Sequence, residues 1–175
     1  MEHTEEYVKL ENVSKIYGSK EVKIIAVDEI SFDIEKGQVF ALVGESGCGK
    51  STTALGIMRL LQEPGKIAGG NIIFEGRDLA GLDEKDMTQV RGKEIGMIFQ
   101  NPLDSLNPVY SIGYQVSEGL IEGGMSKEEA YEKAFSTLKD VKISDVTSRM
   151  KSYPHEISGG MRQRVMIAMA LACSP

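Results

Sequence analysis

The N-terminal third of the chain has the polar and apolar pattern of strands, followed by a glycine-rich turn and a helix. Residues 7–17 have strand character, and residues 30–35 alternate apolar with polar side chains, the period of a half-buried strand. Residues 38–43 form a short apolar run that ends at a glycine-rich segment. Residues 50–61 follow with helix-forming side chains and an apolar face. This part therefore predicts two strands and then the succession strand, glycine loop and helix.

Two further strands are predicted after this helix, at residues 72–74 and 95–99. They are separated by residues 83–91, which are polar and helix-prone. The first hundred residues therefore indicate a unit that mixes strands and helices.

The character of the chain changes after residue 100, where Pro102 and Pro108 precede two apolar-periodic segments. These segments, residues 112–121 and 128–138, are predicted helices. Ser126 is followed three residues later by a glutamate, the spacing of a capping box in which each side chain satisfies an unpaired backbone N–H. The second of these helices is therefore predicted to begin there.

A last helix is predicted over residues 158–173, after a break at residues 153–155. It begins with two adjacent glycines, Gly159 and Gly160. Glycine costs about 1 kcal/mol relative to alanine inside a helix. The pair therefore indicates that another group closely approaches the backbone at this point.

Composition and charge are those of an ordinary globular domain. The 175 residues are 41% hydrophobic and 26% charged, and the length favours one domain. There are 20 lysines and arginines against 26 acidic residues, giving a net charge of −6. This balance argues against a broad surface for DNA or RNA, so no nucleic-acid partner is expected.

The sequence gives no sign of export or of a membrane span. Residues 1–6 are acidic and polar, unlike a secretory signal, and the longest apolar run, residues 165–173, is far shorter than the roughly 18 residues that a span needs. Cys48 and Cys173 have no disulfide or metal spacing. A reducing cytosol is therefore expected, with any membrane association peripheral.

The glycine-rich segment, residues 44–51, matches the phosphate-binding pattern G-x-x-x-x-G-K-[ST]. A predicted strand precedes it and a predicted helix follows it. In such a loop the backbone N–H groups surround phosphates, Lys50 reaches the β- and γ-phosphate oxygens, and Ser51 ligates Mg²⁺. The alternative is a glycine-rich turn with an incidental lysine. The candidate nucleotide-binding residues are Gly44, Glu45, Ser46, Gly47, Cys48, Gly49, Lys50, Ser51 and Thr52, with Cys48 expected to serve as a small spacer.

A second motif narrows the choice among nucleotide-binding proteins. Residues 155–165, His-Glu-Ile-Ser-Gly-Gly-Met-Arg-Gln-Arg-Val, resemble the signature segment of ABC ATPases, and residues 98–100 resemble their Q-loop. Residues 97–108 and 161–168 further resemble the dipeptide, oligopeptide and nickel importer ATPases, although Met161 stands where many ABC proteins have glutamine. The similarity extends from residue 7 to residue 175.

The resemblance assigns roles to further residues. It implies that Ser158, Gly159 and Gly160 contact the γ-phosphate of ATP held by a second subunit. It implies that Gln100 contacts Mg²⁺ or the attacking water, which makes Lys50 and Gln100 the candidate catalytic residues and Ser51 and Gln100 the candidate metal ligands. Tyr17 matches the aromatic residue that stacks on adenine; its alternative is an ordinary aromatic near a strand end.

The fold implied by the resemblance is α/β: a P-loop NTPase of the ABC type, with an antiparallel β portion and an inserted helical subdomain. Residues 1–100 would form the nucleotide-binding core, residues 101–156 the helical subdomain, and residues 157–175 the signature helix. ABC ATPases continue into a Walker B strand and a switch histidine, and neither follows here; the two histidines, at positions 3 and 155, do not fit the switch position. We therefore expect a truncated domain with an incomplete central sheet and doubtful turnover.

The function implied is that of the ATP-binding subunit of an ABC importer for peptides or nickel, using ATP and Mg²⁺. Its partners would be integral-membrane permeases, a second ATPase subunit of the same or a different kind and, indirectly, an extracytoplasmic substrate-binding protein. The location would be the cytoplasmic face of the cell membrane. Two alternatives stay open: a non-transport ABC ATPase of phosphonate metabolism, repair or translation, and a nucleotide-binding fragment without turnover.

Overall fold

The structure, a computed structural model, describes residues 6–18, 23–100 and 105–175. The chain divides into two compact units, Met1–Met87 and Thr88–Pro175. No helix in these described ranges is long and apolar enough to cross a membrane.

The first unit is built on an antiparallel sheet of four strands in the order β2-β1-β3-β4. The strands are β1 (Glu6–Gly18), β2 (Lys23–Glu35), β3 (Lys66–Phe74) and β4 (Arg77–Asp78). The predicted strands at residues 7–17, 30–35 and 72–74 are thereby confirmed. Inward-facing apolar side chains close the core of this unit, among them Leu10, Val13, Ile72, Phe74 and Leu79.

One helix lies between β2 and β3 in the sequence, and a second follows β4. Helix α1 (Lys50–Ile57) begins directly after the glycine-rich segment, as predicted, and is shorter than the predicted residues 50–61. Helix α2 (Glu84–Lys93) fits the helix-prone stretch and is kinked at Arg91 and Gly92, where Gly92 has a positive φ of 81°. The boundary between the two units falls within α2.

The second unit is helical beyond α2. It contains α3 (Ile112–Glu122), α4 (Lys127–Asp140), α5 (Val146–Arg149), a 3-10 turn (Pro154–Glu156) and α6 (Gly159–Ala172). All three predicted helices in this region are confirmed. Their apolar faces meet in one core that includes Ile112, Val116, Ala130, Ala134, Leu138, Val165 and Ala168.

The capping box at the start of α4 is also confirmed. The Ser126 hydroxyl accepts a hydrogen bond from the Glu129 backbone N–H at 3.3 Å, and the Glu129 carboxylate accepts from the Ser126 N–H at 3.3 Å. The hydrogen bonds from Ser126 keep the pKa of the Glu129 carboxyl below its usual value. The helix start is therefore set by local chemistry that the sequence displays.

Two predicted strands are wrong. Residues 38–43 have no strand structure, and Val39 and Val43 are 96% and 92% exposed. Residues 95–99 form a single bridge, between Arg91 and Ile95, and are otherwise irregular. A short apolar run becomes a strand only when neighbouring strands accept its backbone hydrogen bonds. Within the described ranges no strand pairs with either run.

Candidate phosphate-binding site

The glycine-rich segment turns sharply into α1 through two glycines in left-handed conformation. Gly47 has φ 83° and Gly49, the residue that caps α1, has φ 96°. A methyl group added at Gly49 would lie 2.7 Å from the carbonyl oxygen of Ala26 on β2. Glycine is therefore needed at position 49 both for its φ and because a neighbouring strand passes so close.

The loop wraps around the side chain of Lys50. The Lys50 Nζ donates hydrogen bonds to the carbonyl oxygens of Gly44 at 2.7 Å and Glu45 at 2.6 Å, and lies 3.4 Å from Cys48 Sγ. These contacts hold a positive charge inside the bend of the loop. The ammonium group is bound here by carbonyl oxygens of its own loop, whereas a phosphate would be bound by the backbone N–H groups of such a loop together with the lysine.

The electrostatics of the loop favour an anion. The first turn of α1 carries no acidic side chain, so the positive end of the helix dipole is not neutralised within its own helix. Ser51 is exposed and Thr52 half-buried in that same turn. Within the described residues no cluster of three or more His, Cys, Asp or Glu side chains could hold a metal. Magnesium in nucleotide sites usually takes most of its ligands from phosphate oxygens and water, and the exposed Ser51 hydroxyl is an oxygen ligand of the kind that it accepts.

Tyr17 lies in the same unit as the loop, near the end of β1. It is half-buried and is paired across the sheet with Ile24. Its ring packs against the backbone at Gly65, where an added methyl group would overlap the ring. The aromatic ring is thus held in place by the segment before β3.

The signature residues begin α6 in the second unit. The Ser158 hydroxyl accepts a hydrogen bond from the Met161 backbone N–H at 3.3 Å and caps the helix. Gly159 and Gly160 are exposed, and a methyl group on either would meet no atom within 4 Å. The sequence predicts that another group closely approaches the backbone of these two glycines. No atom in the described part of this chain is that group.

Gln100 is exposed in the second unit, at the end of the irregular residues 95–100. Residues 101–104 of the predicted importer motif lie outside the described residues. The structure thus gathers Tyr17 and residues 44–52 in the first unit, and Gln100 and residues 158–160 in the second.

The sequence comparisons decide the family. Residues 27–175 match the family model described as ABC transporter. The chain belongs to the ABC transporter family. The predicted resemblance to ABC ATPases is therefore confirmed. The narrower resemblance to peptide transporters is confirmed by relatives that are named as peptide transport proteins.

Two relatives of this ABC chain are named as peptide transport proteins. The oligopeptide transport ATP-binding protein AppD of Bacillus subtilis is 49% identical over 170 residues, 96% of this chain and 52% of that protein. The dipeptide transport ATP-binding protein DppD of Escherichia coli is 44% identical over 168 residues, 94% of this chain and 51% of that protein. The chain spans about half the length of the curated relatives it matches.

The fold is also that of solved ABC cassettes. The dimeric structure of MJ0796, a bacterial ABC transporter cassette, superposes with a TM-score of 0.83 at 33% identity, covering 96% of this chain and 70% of that one. A post-hydrolysis structure of the same cassette, bound to ADP and Pi, gives the same values. The predicted ABC ATPase fold class is thereby confirmed.

One residue of this ABC chain was missed by the sequence analysis. Lys15, on β1, is 0% exposed, and its Nζ donates hydrogen bonds of 2.8 Å to the carbonyl oxygens of both Thr52 and Thr53 in α1. Burial lowers the pKa of Lys15 to about 8. The signal that could have revealed it is its position, since Lys15 shares the inward face of β1 with buried Val13 two residues before it.

Proposed function

We propose that this protein is the ATP-binding subunit of an ABC importer for peptides, which couples ATP binding and hydrolysis to transport. The observation that carries the proposal is the position of the Lys50 ammonium inside the loop formed by Gly44, Glu45 and Cys48. The peptide specificity is supported by what the relatives are named for. Nickel is the alternative cargo. The residues that contact the transported molecule would belong to the permease and the binding protein, so this subunit does not distinguish the two cargoes.

Each residue of the loop has a proposed task. Backbone N–H groups of residues 44–49 bind phosphate oxygens, and Lys50 stabilises charge on the β- and γ-phosphates as the γ-phosphoryl group leaves. Ser51 and Thr52, in the first turn of α1, would contact Mg²⁺ and the phosphates of ATP. Tyr17 would stack on the adenine, and Gln100 would contact Mg²⁺ or the attacking water. Catalysis is then mainly positioning and charge stabilisation.

The signature residues are proposed to act on a neighbour. Ser158, Gly159 and Gly160 stand at an exposed helix N-terminus with no acidic residue in its first turn, a surface that favours a phosphate group. They would contact the γ-phosphate of ATP bound to the loop of a second ATPase subunit, identical or different. ATP would thereby bridge two subunits. The solved structure of the cassette MJ0796 is described as dimeric, which supports this arrangement.

The working assembly is proposed to sit at the cytoplasmic face of the cell membrane. Residues 1–100 would form the nucleotide-binding core, residues 101–156 the helical subdomain that receives the permease, and residues 157–175 the signature helix. The partners would be two integral-membrane permeases and, through them, an extracytoplasmic binding protein. The net charge of −6 supports the expectation that nucleic acid is not a partner.

Thermal unfolding with and without MgATP tests the nucleotide site. A ligand that binds only the folded state stabilises it by RT ln(1 + [L]/Kd), so the unfolding midpoint should rise as MgATP is added. Lys50→Ala should abolish this rise. The matched control is Lys85→Ala, which removes an exposed lysine of α2, and it should leave the rise unchanged. Equal rises in all three proteins would refute the site.

Phosphate release separates the importer subunit from a nucleotide-binding fragment without turnover. MgATP hydrolysis by the purified chain, abolished by Lys50→Ala, would refute the inert-fragment alternative. Binding without release would support that alternative for the 175-residue chain. Genes for two permeases and a binding protein beside this gene would support transport over a non-transport ABC ATPase.

A further inference from the structure

Lys15 joins the strand that carries Tyr17 to the helix that carries the phosphate loop. Its side chain is fully buried, and its ammonium group bridges the carbonyl oxygens of Thr52 and Thr53 at 2.8 Å each. These carbonyls belong to the first turn of α1, which also contains Lys50 and Ser51. A single side chain thus spans from β1 to the helical turn that follows the glycine-rich loop.

The helix leaves room for this contact at Gly56. A methyl group at Gly56 would overlap the Nζ and Cε atoms of Lys15, so the lysine end lies directly against the helix backbone. Any side chain at position 56 would push the ammonium away from its two carbonyls. Lys15 and Gly56 therefore form a direct contact between β1 and α1.

Tyr17 is two residues beyond Lys15 on β1, and side chains two apart in a strand lie on the same face. On the β3 side the pairing is regular from Lys15 to Ile16, although the pairing with β2 shifts its register there. The contact of α1 with Lys15 therefore contributes to the distance between the phosphate loop and the Tyr17 ring, together with the packing of Gly49 against β2. A nucleotide has a fixed reach between its base and its phosphates. Holding both ends at once requires that the distance between the two binding features be set in advance.

We propose that Lys15 is a positioning residue that sets the separation between Tyr17 and the phosphate loop, so that the base and the phosphates of one nucleotide are bound together. This inference rests on the proposed function, since it concerns the same nucleotide. Lys15 touches neither end of the ligand. It acts through the first turn of α1 on one side and through β1 on the other.

The proposal differs in its consequences from a purely electrostatic or purely structural role. Loss of a positive charge near the loop would weaken every polyphosphate ligand alike. Loss of folded protein would lower the number of binding sites without regard to the ligand. Loss of the correct separation would weaken only a ligand that has both a base and phosphates.

Calorimetric titration with MgATP and with magnesium tripolyphosphate, which has no base, distinguishes these roles. In Lys15→Met the affinity for MgATP should fall about tenfold, within the range that base stacking on an aromatic ring contributes, while tripolyphosphate affinity stays unchanged. Gly56→Ala should give the same result with the lysine still present. Alanine has a higher helix propensity than glycine, so Gly56→Ala is expected to keep α1 intact. This variant therefore remains informative if Lys15→Met fails to fold.

Two controls complete the test. Lys9→Met removes a lysine of the same strand that forms ion pairs with Glu6 and Glu11 at the surface, and it should change neither affinity. Tyr17→Ala should cost less MgATP affinity in the Lys15→Met protein than in the wild type, because the two residues act together. Equal losses for the two ligands in both Lys15→Met and Gly56→Ala would overturn the proposal. A wild type that binds neither ligand would instead refute the proposed function.

Discussion

The buried ammonium group of Lys15 should make the stability of this protein depend on pH. Burial lowers the pKa of Lys15 from 10.5 to about 8 in the folded chain. In the unfolded chain the side chain returns to water and keeps its proton up to the higher value. Between about pH 8 and pH 10.5 the unfolded chain therefore binds more protons than the folded chain, and stability rises with pH through this window.

The size of the effect follows from the difference between the two pKa values. One pKa unit corresponds to about 1.4 kcal/mol, so the full window gives an upper limit of about 3 kcal/mol. Below about pH 8 the lysine is charged in both states, and the cost of burying the charge is fully present. Above about pH 10.5 it is neutral in both states, and this cost is gone.

Urea unfolding of the wild type and of Lys15→Met, followed by far-UV circular dichroism, measures the effect. The methionine keeps most of the volume and removes the titrating group. The difference in unfolding free energy between the two proteins should shift in favour of the wild type by about 2 to 3 kcal/mol from about pH 7.5 to pH 10.5. Other lysines and tyrosines titrate in both proteins and cancel. A difference that stays constant with pH would refute the burial of a charged Lys15.

Three further substitutions test the described contacts. Ser126→Ala removes the cap of α4 and should lower the unfolding free energy by about 1 kcal/mol in urea unfolding, because an N–H of the first turn loses its partner. Leu138→Ala, at a fully buried site of the helical core, should cost about 2 to 5 kcal/mol in the same assay; a loss below 1 kcal/mol would contradict its packing. Gly49→Ala should abolish MgATP-dependent thermal stabilisation, because its methyl group would crowd the Ala26 carbonyl at 2.7 Å; a normal shift would contradict the loop geometry.

The elements that were predictable from the sequence are those that local chemistry determines. The start of α4 follows from Ser126 and Glu129, and the turn into α1 follows from its glycines, because both depend on residues only a few positions apart. The alternation of residues 30–35 likewise identifies this part of β2 without knowledge of its partners. The candidate phosphate loop belongs to this group, since its glycines and Lys50 adjoin one another in the chain.

The features that were not predictable depend on distant parts of the chain. Residues 38–43 have the composition of a buried strand, but a strand needs neighbours, and the described residues supply none to this run. Lys15 is polar in sequence and buried in the fold, because Gly56 lies 41 positions later and opens space for it. A pattern over a few residues can place Lys15 on the inward face of β1, but it contains no information about Gly56 or about the neighbours of residues 38–43.

Calorimetric titration of the purified chain with MgATP tests the central claim most directly. The account predicts saturable binding to the wild type, retention of that binding in Lys85→Ala, and loss of at least about tenfold in affinity, roughly 1.4 kcal/mol, in Lys50→Ala. Binding that is equally strong in Lys50→Ala, or a folded wild type that does not bind MgATP, would contradict the assignment of residues 44–52 as the nucleotide site.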